Sequence, residues 1–107
     1  MSDQYTHIVD LAKEATPPQR GILSHTVFQD DSVKAVVFGF GQGDEMSEHT
    51  ASKSAILHFL QGEVELTLGD DTLAVQAGSW IRMAAGLPHT VLAKTPAIML
   101  LLLLKKS

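Results

Sequence analysis

The spacing of strand-like segments constrains this chain more than any other feature. From Gly21 onward, runs rich in β-branched and aromatic residues recur at intervals of roughly 8 to 12 residues, separated by Gly, Asp or Pro. "GILSHTVF" and "VKAVVFGF" flank the polar turn Gln29-Asp30-Asp31-Ser32. Gly39, Gly41 and Gly43 predict a loop reaching Glu48, followed by a strand over "SAILHFLQG". After Gly62, Val64, Leu66 and Leu68 alternate with Glu63, Glu65 and Thr67, the period-two signature of a half-buried strand. "LGDDTL" turns that strand back on itself, and further strands fall on "AGSWIRM", "TVLAK" and "AIMLLLLL". The pattern predicts an all-β sandwich or small barrel.

The ends of the chain refine this picture. The run Ala97 to Leu104 is apolar throughout, yet eight residues are too few for a membrane helix, which needs about 20. Bounded by Pro96 and by Lys105-Lys106, it reads as a strand buried on both faces. At the other end, Ile8, Leu11, Ala12 and Ala15 share one helical face, which predicts a short helix over residues 7–15, stopped by Thr16-Pro17-Pro18. Residues 1–20 are therefore read as N-terminal helix and linker, and 21–107 as the barrel of a single domain. The first residues lack the basic and apolar regions of a secretory signal, so a cytoplasmic protein is expected.

Charge and cysteine usage exclude several functions. The net charge is −4 and the basic residues are scattered, so there is no stripe to neutralise phosphates and nucleic acid is not an expected partner. The absence of cysteine removes disulfides, thiolate catalysis and thiolate metal sites, leaving histidine and carboxylate as the metal donors.

Two stretches carry a more specific pattern. In the first, Gly43, His49, Ala51, Ala55 and Gly62 follow one another at intervals of six, two, four and seven positions. In the second, Gly78, Ala84, Gly86, His89 and Ala93 do so at intervals of six, two, three and four. Fifteen residues, Glu63 to Ala77, separate them. This arrangement resembles the paired motifs of the cupins, small double-stranded β-helix or jelly-roll barrels (RmlC-like folds), and the resemblance extends from Gly21 to Lys105. Gly43, His49, Gly62, Gly78, Gly86 and His89 match the family pattern. Ala51 stands where the family has a second histidine, Ala55 where it has a glutamate, Ala84 where it has a proline and Ala93 where it has an asparagine.

The resemblance implies a metal site of three histidines and a glutamate suited to Fe, Mn, Ni, Cu or Zn. Carried over to this chain, it leaves His49 and His89 as ligands of a divalent transition metal, with His25 or His58 as candidates for a third. Parity argues against His58. If position 55 points into the barrel then Leu57 and Phe59 do too, and Ile56, His58 and Leu60 point out, unless a bulge intervenes.

Around the two histidines, an apolar pocket is expected from His49, Ala51, Ala55, Leu57, Phe59, Met83, His89, Val91 and Ala93, closed by Met99 and by Phe38 or Phe40. Such a pocket suits a small, mostly apolar molecule oriented by a few polar groups. Trp80 is expected to pack, Arg82 to lie at the surface, and Asp70-Asp71 to form a turn. The outward face of the last strand, with Ile56 and Leu60, suggests an apolar surface that a second copy covers as a homodimer. The function read from the sequence is a small-molecule or metal-binding barrel. The alternatives are a metal-dependent oxygenase or isomerase, and a structural or interaction barrel without ligand.

Overall fold

A computed structural model describes residues 4–105, which form a two-sheet β-barrel; Lys106 lies outside the described residues. The strands are β1 (Ile22–Gln29), β2 (Val33–Phe40), β3 (Glu45–His49), β4 (Ala55–Gln61), β5 (Glu63–Leu68), β6 (Asp71–Gln76), β7 (Trp80–Met83), β8 (His89–Ala93) and β9 (Ala97–Leu104). One sheet has the order β1-β2-β9-β4-β7 and the other β3-β8-β5-β6, with every neighbouring pair antiparallel. Apart from the β1–β2 and β5–β6 hairpins, consecutive strands lie in opposite sheets, and that crossing is what distinguishes a double-stranded β-helix from a simple meander.

The alternation read from the sequence is the alternation of burial. Along β4, Ala55, Leu57 and Phe59 are buried while Ile56, His58 and Leu60 are half-buried on the opposite face. Val64 and Leu66 of β5, Val91 and Ala93 of β8, and Ala97 and Met99 of β9 point into the same core. Each large side chain fully buried there contributes roughly 1.5–3 kcal/mol of apolar transfer.

The first half of the last strand, residues 97–100, is buried on both faces, as its apolar run implies, whereas Leu101, Leu102, Leu103 and Leu104 are half-buried. Met99, Leu101 and Leu103 contact the core between the sheets, whereas Ile98, Leu100 and Leu102 belong to a second cluster on the outer face. That second cluster is covered by the chain's own N-terminal segment, through Leu11, Ala12 and Ala15. A Cβ on Gly39 would collide with the carbonyl of Ala15, so the segment lies directly against β2.

Two expectations need correction. The helix expected over residues 7–15 is only a single 3-10 turn, Leu11–Lys13, capped by the Asp10 carboxylate accepting from the Ala12 N–H at 3.1 Å. A stretch this short gains too few internal hydrogen bonds to nucleate a helix, and packing on the sheet decides its path instead. The loop expected from Gly39 to Glu48 is also shorter. Gly39 lies within β2, the turn occupies residues 41–44, and Glu45–His49 pair with β8. The latter segment is polar because much of it is exposed on a short strand, which removed the apolar signal.

Candidate functional site

The two motif histidines meet at one end of the barrel. His49, the last residue of β3, is directly opposite His89, the first residue of β8. Upstream in this ladder Met46 pairs with Val91, so three steps along β3 match two along β8. The extra residue is a β-bulge, and it reverses the parity of β3 between Met46 and His49. Met46 packs against the core, and the bulge lets His49 turn to the interior side as well.

The rings lie 4.1 Å apart between centroids and are tilted by 58°. His49 donates its Nδ1–H to the Ser47 carbonyl at 2.8 Å, and His89 donates its own to the Leu87 carbonyl at 2.9 Å. A carbonyl only accepts, so Nδ1 carries the proton in both rings and each neutral imidazole keeps its lone pair on Nε2. Neither Nε2 has a hydrogen-bond partner among the described residues. His89 is only 5% exposed, yet no buried side-chain nitrogen or oxygen lacks a partner among the described residues, so its Nε2 still reaches accessible space. Burial lowers the His89 pKa, with a smaller contribution from the facing His49, against the opposing hydrogen bond to Leu87.

The space those rings face is a cavity of about 420 Å³ at the barrel end. Its floor and walls are apolar: Ala51, Ala55, Met83, Leu101, Leu103 and Leu104. The same lining includes Thr50 and Ser52 with Lys34, Lys53 and Lys105. Of the nine residues expected around the pocket, His49, Ala51, Ala55, Met83 and His89 line it. Leu57, Phe59, Val91 and Ala93 do not; they sit deeper, at most 1% exposed, as core filling. Phe40 and Met99 are likewise core, and Phe38 packs against them rather than closing the cavity. The missed residues are Thr50, Ser52, the three lysines and the end of β9. Leu101 and Leu103 were accessible through the inward parity of Met99, but nothing local marks the lysines, which topology gathers from three separate segments.

The candidate third ligands are not brought in. His58 pairs with Trp80 on β7 and Leu100 on β9, and the β4–β9 register runs unbroken from Ala55 to Phe59, so no bulge turns His58 inward. His25 is exposed on β1, its Nδ1 3.4 Å from the Glu14 carboxylate. Trp80, expected to pack, is 59% exposed, because β7 is a sheet edge beyond the reach of the covering N-terminal segment.

The donor set present does not fit the family's divalent metal. Two imidazole nitrogens converge, but the described residues contain no cluster of three or more His, Cys, Asp or Glu, and the remaining ligand positions are alanine methyls. Three ammonium groups around the same cavity oppose a dication further. Among the described residues no helix is long and apolar enough to cross a membrane.

Comparison with known proteins places this architecture. The cupin domain family matches residues 36–104. A conserved protein of unknown function from Streptococcus pyogenes is 31% identical, with 97% of this chain and 91% of that chain covered and a TM-score of 0.85. A cupin superfamily protein from Desulfitobacterium hafniense is 26% identical over 80% of this chain and 79% of its own, with a TM-score of 0.76. The DMSP lyase DddQ from Ruegeria pomeroyi shares the fold at 21% identity, over 78% of this chain and 46% of its own, with a TM-score of 0.72. No curated protein matches the chain.

Proposed function

The chain belongs to the cupin domain family, and from that premise we propose that it binds a small organic molecule in the barrel-end cavity, with His49 and His89 as the polar anchor. The observation that carries this reading is the pair of Nδ1-tethered rings with unengaged Nε2 atoms beside an apolar cavity of about 420 Å³. That volume falls within the range of ordinary small-molecule sites, roughly 300–1,000 Å³. The neutral Nε2 accepts a hydrogen bond, so the pair suits a ligand hydroxyl or amide donor, with apolar surface toward Ala51, Met83 and Leu101. Metal-dependent oxygenase or isomerase chemistry would need a third protein donor, which the described residues do not supply.

The test is ligand-detected NMR of a fragment collection against the wild-type chain and a His49→Ala, His89→Ala double variant. Fragments that bind the wild type and lose affinity in the variant support the cavity as the site. Binding indifferent to both substitutions overturns it.

We further propose that a second copy covers the outer face of the five-stranded sheet around Trp80. Support comes from this large exposed side chain on the edge strand β7, which pairs with β4 on one side only among the described residues, next to half-buried Ile56 and His58.

A further inference from the structure

The cavity wall contradicts the charge of the molecule that contains it. The sequence holds 12 Asp and Glu against 8 Lys and Arg, yet among the described residues the Asp, Glu, Lys and Arg side chains lining the cavity are Lys34, Lys53 and Lys105 alone. Backbone hydrogen bonds bring these lysines together from distant parts of the chain. The Lys105 N–H donates to the Ser32 carbonyl at 2.8 Å, setting the end of β9 beside the start of β2 and Lys34. The Leu104 N–H donates to the Ser54 carbonyl at 3.0 Å, tying the same end to the loop that carries Lys53. That loop is fixed to the opposite wall by the Gly86 N–H donating to the Ala51 carbonyl at 2.8 Å.

None of the three ammonium groups forms an ion pair among the described residues. Three like charges on residues lining one cavity raise the local positive potential, which an anion relieves. Most of the remaining lining is hydrocarbon, contributed by Leu101, Leu103, Leu104 and Met83. A ligand that matches both parts has an anionic end and an apolar body.

Resting on the reading of this cavity as a ligand site, we infer that its ligand is a small organic carboxylate, the apolar body against Met83, Leu101 and Leu103 and the carboxylate among Lys34, Lys53 and Lys105. Lysine suits this role, since a flexible stem carrying a compact charge follows a carboxylate without demanding one geometry. Thr50 and Ser52 place hydroxyl donors in the same lining.

The experiment titrates the ¹⁵N-labelled full chain with octanoate, 1-octanol and octylammonium, which share one apolar body and differ in charge. Octanoate is expected to shift the amides of Ala51, Lys53, Leu103 and Lys105 and to bind roughly tenfold tighter than 1-octanol, the combined effect of several partly exposed charge contacts. Octylammonium binds most weakly. The Lys34→Gln, Lys53→Gln, Lys105→Gln triple variant, verified as folded by its own spectrum, loses the octanoate advantage and keeps its 1-octanol affinity. If octanoate and 1-octanol bind the wild type equally at these amides, the anion inference falls and the cavity reading stands. If octanoate binds the triple variant as tightly as the wild type, the lysines are not its partners and the inference falls. If none of the three compounds shifts the cavity amides, the cavity reading falls with it.

Discussion

His49 and His89 face one another across the β3–β8 ladder because β3 carries one extra residue between Met46 and His49. Each ring is held by the carbonyl two residues before it, Ser47 for one and Leu87 for the other. The pair is thus oriented by backbone alone and needs no metal to fix either ring. Second partners of this kind set the tautomer of ligating histidines in metal sites. Here they leave two matched acceptors beside an apolar cavity.

Acid weakens this arrangement through His89. Burial holds its folded pKa below the ordinary 6.5, so as pH falls from 6.5 the unfolded chain takes up a proton before the folded chain does. The contribution to stability is therefore complete above 6.5 and is lost as pH drops toward the folded value, at no more than about 1.4 kcal/mol per pH unit. Urea unfolding of wild type and His89→Gln between pH 7.5 and 5 checks this. Wild type should lose stability relative to His89→Gln on acidification; a difference independent of pH rules the coupling out.

Restoring the missing donors should restore a metal. Ala51→His with Ala55→Glu rebuilds the family's set of three histidines and a carboxylate around His49 and His89. Elemental analysis of tag-free protein is expected to find close to one equivalent of Ni, Zn, Mn or Fe in this variant, and well below one in wild type. A full equivalent in wild type that disappears in His49→Ala, His89→Ala would instead establish the natural pair as a metal site.

Much of the barrel was legible in the sequence because strand burial has a period of two. Val64, Leu66 and the β4 residues Leu57 and Phe59 declare their faces directly, and the glycine spacing locates both motifs. β3 was not legible: among Glu45–His49 only Met46 is apolar, and its bulge is a property of the pairing with β8 rather than of the residues themselves. The helix expected near the N-terminus failed for a related reason. Leu11, Ala12 and Ala15 do share an apolar face, but the outer sheet surface that buries them also dictates the backbone path. The lysine lining was invisible because Lys34, Lys53 and Lys105 come to one cavity only through long-range hydrogen bonds.

Gly62 is expected to be the least replaceable glycine at the far end of the barrel. Its φ is 91°, and a Cβ there would run into the Pro96 carbonyl and come within 2.9 Å of the Ala97 Cβ. Gly62→Ala should cost roughly 3 kcal/mol or more, from left-handed strain and backbone collision together. Gly78→Ala is the control: φ is 96° but nothing lies within 4 Å of the added carbon, so only the conformational strain of roughly 1–2 kcal/mol remains. Equal losses in chemical denaturation would show that the contact with residues 96 and 97 is not a separate constraint.

The exposed Trp80 gives the proposed pairing of two copies a direct test. A tryptophan 59% exposed on an edge strand leaves a large apolar ring in water, and it adjoins Ile56 and His58 toward the β7 edge of the outer face, away from the β2–β9 region that Leu11, Ala12 and Ala15 cover. Joining two such faces would bury both rings and offer the open edge of β7 a partner. Sedimentation velocity at micromolar concentration should then give twice the 11.5 kDa chain mass. Trp80→Glu places a charge in that contact and should shift the population to the single chain, without lowering the unfolding midpoint of the monomer. A wild type that sediments as a single chain across the concentration range leaves Trp80 a surface residue and ends the pairing proposal.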